Sequence, residues 1–120
     1  MIHINSTISD KVLKKIIIEK LSYISISEIE NDYELVDELR DKKYVINHVL
    51  KNMCELIDGK KSLFEIIILM AEYYGINKED IKSDIYDIYI FMRKNKIIIV
   101  KNTLTYFLLK IYYKISIIKV

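Results

Sequence analysis

The hydrophobic period of this chain changes twice along its length, and those changes restrict it to a mixed fold. Over 21–29, Ile24 and Ile26 alternate with Ser25 and Ser27 behind Tyr23, which is the pattern of a half-buried strand. Glu30-Asn31-Asp32 reads as a turn, Tyr33–Leu39 as a second strand, Arg40-Asp41-Lys42 as another turn, and Lys43–Ile46 as a third strand. Short turns between consecutive strands imply an antiparallel meander. On either side the spacing is helical. Ile8, Val12, Leu13, Ile16 and Ile17 predict a helix over 8–19, with Thr7 and Asp10 resembling a capping box.

Three further helices follow the strands. Asn47 is the expected N-cap of the first, which carries Val49, Leu50, Met53, Leu56 and Ile57, with Gly59 as a left-handed C-cap. Ser62-x-x-Glu65 is a capping box for the second, which ends at Gly75. The third starts at Asn77-x-x-Asp80, buries Ile81, Ile85, Ile88 and Met92, and is capped by Asn95. The expected class is α+β. In the tail, Ile97–Val100 fits a strand, whereas 104–115 fits a helix or a strand equally well, because its apolar residues are too dense for a period to show.

With 120 residues, 52% of them hydrophobic, and with no proline and only two glycines, the chain is one domain's worth of core and not a linker or low-complexity sequence. The net charge is +2, but residues 21–42 carry −5 while 97–120 carry +4 and no acid. No single-sign field covers the chain, so charge alone does not imply nucleic-acid binding. The single Cys54 fits a reducing compartment, and a cytoplasmic location is expected. No secretory signal is visible at the N-terminus, and Lys101, Lys110 and Lys114 interrupt the tail as a membrane span.

Catalytic constellations are missing from the sequence. His3 and His48 have no metal-ligand spacing, and no phosphate-binding or nucleophile-elbow motif occurs. Cys54 falls among core positions and reads as an inert thiol. Glu79, Asp80, Asp84 and Asp87 fit a helix N-terminus and a solvated face. The expectation is a protein that is not an enzyme, with no cofactor and no metal.

Two binding readings remain. Helices at 63–74 and 78–95 have helix-turn-helix proportions, so a winged-helix DNA-binding regulator is one alternative, although the acids crowd the half of the second helix that would meet phosphate. The other is peptide capture at a free sheet edge. Beside the core stripe of the last helix, Lys82, Tyr86, Tyr89 and Arg93 form a second stripe of rings and cations suited to a peptide with apolar anchors and acids. The plainer reading of Tyr86 and Tyr89 is a half-buried wall with hydroxyls in water.

Tyr44-Val-Ile-Asn47, Glu55-Leu-Ile-Asp-Gly59, Ser62-x-x-Glu65-Ile66, Tyr73-Tyr-Gly75, Ile81-x-x-Asp84-Ile85 and Phe91-Met-x-x-Asn95 occur in an order that resembles the coenzyme PQQ synthesis protein D family, the prototype RiPP recognition element. The resemblance covers about 21–99. It leaves 1–20 as an N-terminal helical extension and 100–120 as an apolar C-terminal extension, a candidate homodimer contact or dock for an enzyme. It implies a winged-helix-like fold, with a three-stranded antiparallel sheet on three helices. It also implies that the leader of a ribosomally made precursor peptide adds as a strand beside Lys43, Tyr44, Val45 and Ile46, facing Lys82, Tyr86, Tyr89 and Arg93. The implied partners are that precursor and a separate maturation enzyme such as a radical SAM enzyme, a cyclase or a leader peptidase, with no nucleic acid and no membrane span. Asp58, Gly59 and Asp84 match the family pattern and read as determinants of the fold.

Overall fold

The computed structural model describes residues 9–101. The expected meander is present: β2 (Ile24–Ile29), β3 (Asp32–Asp37) and β4 (Lys42–Ile46) form one antiparallel sheet in the order β2-β3-β4, after a first helix α1 (Asp10–Leu13) and a first strand β1 (Ile18–Lys20). Its register places Ile26 opposite Leu35 and Leu35 opposite Tyr44, and Tyr33 opposite Ile46. One face therefore collects Ile24, Ile26, Tyr33, Leu35, Tyr44 and Ile46, as a period of two requires. Glu30 and Asp41 occupy positive φ in the two hairpin turns, a conformation that Asp tolerates better than most residues.

Three helices follow, α2 (His48–Leu56), α3 (Leu63–Tyr74) and α4 (Lys78–Lys94), and their buried residues share one core with those of that face. The Asn47, Ser62 and Asn77 side chains accept N–H bonds from the first turns of these helices, and the Ser62–Glu65 capping box is closed in both directions. Such caps contribute ~1 kcal/mol each, enough to set where a helix begins. Gly75 ends α3 in the left-handed region (φ +66), where the Ile76 N–H reaches back to the Ala71 carbonyl. The architecture is the α+β, winged-helix-like arrangement of a three-stranded antiparallel sheet on three helices.

Two expectations need correction. Gly59 does take positive φ (+76), but α2 ends earlier, at an extended Ile57; Gly59 instead sits in the following turn. Asp58 shapes that turn by accepting the Lys60 and Lys61 N–H groups and pairing with Lys61, which holds its carboxyl far below the usual range. The N-terminal helix predicted over 8–19 is only the four-residue α1, with Ser9 as its N-cap. The chain then becomes β1, which pairs antiparallel with β5 (Ile98–Val100), the strand that follows α4. Ile16, Ile17 and Ile18 are consecutive β-branched residues, and a partner strand outweighs their weak helix preference. Leu13 and Ile18 are fully buried in the common core, so 10–20 form part of the domain rather than an extension from it. The expected C-terminal extension, 100–120, lies beyond Lys101 outside the described residues, as does the start of the predicted first helix.

The N-terminal segment is held by charge as well as by packing. Asp10 takes hydrogen bonds from Lys82 at 2.9 Å and Lys78 at 3.0 Å, and these bonds keep its carboxyl below the ordinary aspartate value of 3.8. A carboxylate with a depressed native pKa adds stability in full above its unfolded value and loses it as pH falls through the native one. Asp10→Asn should therefore lower the Tm at neutral pH. In thermal melts across pH, the gap from wild type should stay constant above about pH 4 and close below it.

Candidate functional site

Among the described residues β4 is paired on one side only, with β3. Beside its other edge runs a cleft of ≈ 500 Å³ lined by Lys43, Tyr44, Val45, Ile46, Asn47, Leu50, Ile88 and Phe91. Tyr44 and Ile46 point to the core face and form the floor with Leu50 from α2. Ile88 and Phe91, one turn apart on α4, form the facing wall, and Phe91 meets Tyr44 edge-on with ring centroids 5.7 Å apart. Lys43 and Val45 alternate onto the outer face, where Val45 is 77% exposed.

The four β4 residues singled out from sequence thus line one cleft. The four from the last helix do not. Lys82 is only 7% exposed and is engaged by Asp10. Tyr89 is 2% exposed; its hydroxyl accepts a bond from Arg93 at 3.1 Å, and its ring centroid lies 5.5 Å from that of Tyr86. Burial raises the Tyr89 hydroxyl pKa, and the neighbouring Arg93 opposes the rise. Tyr86 is half-buried and Arg93 exposed, but neither lines the cleft.

The reason lies in the width of the buried stripe on α4. At ~100° per residue, the inward face runs from Ile81 through Met92 and Ile85 to Tyr89 and Lys82, an arc of roughly 100° with two flanks. Tyr86 and Arg93 lie on one flank. Asp84, Ile88, Phe91 and Asn95 lie on the other, and that flank meets β4. Helical spacing assigns Ile88 to the core stripe and gives Phe91 no role of its own, although Phe91 opens a motif that carries the family resemblance. An aromatic residue well off the main core stripe was the signal that could have found this wall.

The described residues that line the cleft include no His, Cys, Asp or Glu. Among the described residues no three His, Cys, Asp or Glu side chains converge as a metal site would require. Cys54 is buried, 3.8 Å from the Met92 sulfur, and burial pushes its thiol up to about 11. No helix among the described residues is long and apolar enough to cross a membrane.

The class defined by this arrangement is a winged-helix-like domain with an open sheet edge beside a helix wall. A solved structure of the same fold is TbiB1 in complex with the TbiA(beta) leader peptide. The two superpose with a TM-score of 0.58 at 12% identity, over 71% of this chain and 96% of that one. No family model and no curated protein matches the sequence.

The buried thiol gives a direct check on this packing. In the native protein at pH 8, Cys54 should resist iodoacetamide over hours, and it should alkylate within minutes once the chain is unfolded. Intact-mass measurements follow both; rapid native labelling would show that the α2–α4 contact opens readily.

Proposed function

We propose that this protein holds the leader segment of a ribosomally made precursor peptide as an added strand on β4. The observation that carries the reading is the apolar cleft beside the β4 edge that no other described strand pairs, with Ile88 and Phe91 opposite. A strand laid there would take up main-chain hydrogen bonds from β4. Its inward side chains would enter the cleft over Ile46, Leu50, Ile88 and Phe91. Its outward ones would pass Lys43 and Val45, which favours an acidic residue opposite Lys43. The fold shared with TbiB1, whose structure contains a leader peptide, supports the same reading, as does the resemblance to the coenzyme PQQ synthesis protein D family.

On this reading the protein is a carrier rather than a catalyst. It presents the precursor, in the cytoplasm where the peptide is made, to a separate maturation enzyme that supplies the chemistry and any cofactor. On this reading 100–120 would serve as the contact for that enzyme or for a second copy. The structure adds no support for the DNA alternative: Glu79, Asp80 and Asp84 are exposed on the first half of α4, and the cation among them, Lys82, is held by Asp10.

The test is a fluorescence anisotropy titration with the labelled leader of a precursor encoded beside this gene. Saturable binding at micromolar concentration or tighter is expected, and no change up to high micromolar would refute the reading. Phe91→Ala and Ile88→Glu should each weaken binding about ten-fold or more, ~1.4 kcal/mol, while Arg93→Ala on the other flank stays within about two-fold of wild type. Equal losses on both flanks would mean that the cleft is not the site. Melting curves of the same variants show whether each remains folded.

A further inference from the structure

A cleft between a sheet edge and a helix is only as well defined as the joint between those two elements. Here the joint lies outside the cleft, at the end where Tyr44 meets Phe91. Beyond that contact α4 reaches its cap, Asn95, and then Lys96, which turns the chain at φ +57. On the sheet side, β4 emerges from the turn between Asp37 and Lys42, which are register partners.

One hydroxyl connects the two. Tyr23, just before β2, donates to the Lys96 carbonyl at 3.0 Å and accepts from an Arg40 guanidinium nitrogen at 3.4 Å. The same Arg40 nitrogen donates to Asp37 Oδ2 at 2.8 Å, while the Arg40 backbone N–H donates to Asp37 Oδ1 at 3.0 Å. The guanidinium also lies over the Tyr23 ring, 5.5 Å from its centroid. Asp37 is 1% exposed, so the turn is anchored through a buried carboxylate. The chain of contacts runs without a break from the β3–β4 turn, through Arg40 and the Tyr23 hydroxyl, to the end of α4.

We infer that Tyr23 and Arg40 are positioning residues for the cleft: together with Asp37 they pin the end of α4 to the turn that launches β4, and so set the gap into which a strand fits. The inference rests on the proposed peptide-binding reading and extends it to residues that do not line the cleft. The pin is cheap for the fold to lose. Arg40 keeps Asp37 without the hydroxyl, and Lys96 is exposed, so water can take the place of Tyr23 on its carbonyl. A bound strand has no such substitute, because it must touch both walls at once.

The test uses Tyr23→Phe, which keeps the ring and removes the hydroxyl. Nitroxide labels at Lys42→Cys, exposed at the start of β4 and outside the cleft lining, and at Lys94→Cys report the β4–α4 gap by pulsed electron resonance, Cys54 being buried and out of reach of the label. Leader binding is measured by stopped flow and anisotropy. Tyr23→Phe should broaden the distance distribution and raise the Kd about five-fold or more, chiefly through faster dissociation, with the Tm nearly unchanged and the leader narrowing the distribution again. An unchanged distribution overturns the inference, and so does a broadened one with unchanged affinity. If Tyr23→Phe does not fold, Arg40→Lys, which retains the charge on Asp37 but loses the planar fork, is read in the same way. If wild type fails to bind the leader, the peptide reading falls, while the distance measurement by itself still decides whether the pin holds the two walls.

Discussion

The inward stripe of α4 is the constraint from which the rest of the structure follows. Ile81, Ile85, Tyr89 and Met92 are buried together, with the stem of Lys82 alongside them. Full burial of a large apolar side chain is worth roughly 1.5–3 kcal/mol, so this stripe represents on the order of 10 kcal/mol before entropy is counted. An edge-on ring contact such as Tyr44–Phe91 is worth ~0.5–1.5 kcal/mol beyond its area. The core stripe therefore decides how α4 is rotated, and the wall that the helix offers to β4 is whatever flank this rotation leaves there. Ile88 and Phe91 face the cleft as a consequence of Tyr89 being inside.

Much of the fold could be read from local sequence, because the signals that set it are local. The Asn47, Ser62 and Asn77 caps, the Gly75 terminator and the alternation of Ile24 and Ile26 each act within a few residues of themselves. The first helix was misread because what decides 16–20 is distant. Ile18 pairs with Val100, and Lys20 with Ile98, about eighty positions along the chain. Leu13, Ile16 and Ile17 satisfy a helical spacing, and nothing nearby announces the strand that claims their neighbours. Lys82 was misplaced for a related reason. A cation on a helix reads as solvent-facing until its counter-ion is known, and Asp10 comes from the other end of the domain.

The candidate site divides along the same line. β4 was legible as a sheet edge because a strand flanked by turns, last in a meander, has one neighbour in sequence, and among the described residues it pairs with β3 alone. The helix wall was missed because a buried arc has two flanks and helical periodicity does not distinguish them. Polarity suggested the Tyr86 and Arg93 side, since rings and cations look like recognition groups. The structure uses those rings for packing: Tyr89 is core, and Arg93 satisfies its hydroxyl.

An open strand edge carries a hazard as well as an opportunity, and β4 shows how both are met. Exposed edges template unwanted pairing between copies, and proteins blunt them with short strands and charge, lysine above all. β4 has five residues and begins Lys42-Lys43, both exposed, which discourages a second copy from laying an identical edge against it. The α4 wall narrows the approach further, because an intruding strand must also fit against Ile88 and Phe91. A folded sheet edge from another copy would bring its own helices into that wall. A short unstructured segment brings none, and if it carries an acid it gains from the lysines that repel a copy of β4. On the proposed peptide-binding reading, the same residues would disfavour self-pairing of β4 and favour a free, extended, acid-bearing peptide, so that protecting the edge and making it selective would be one physical problem with one solution.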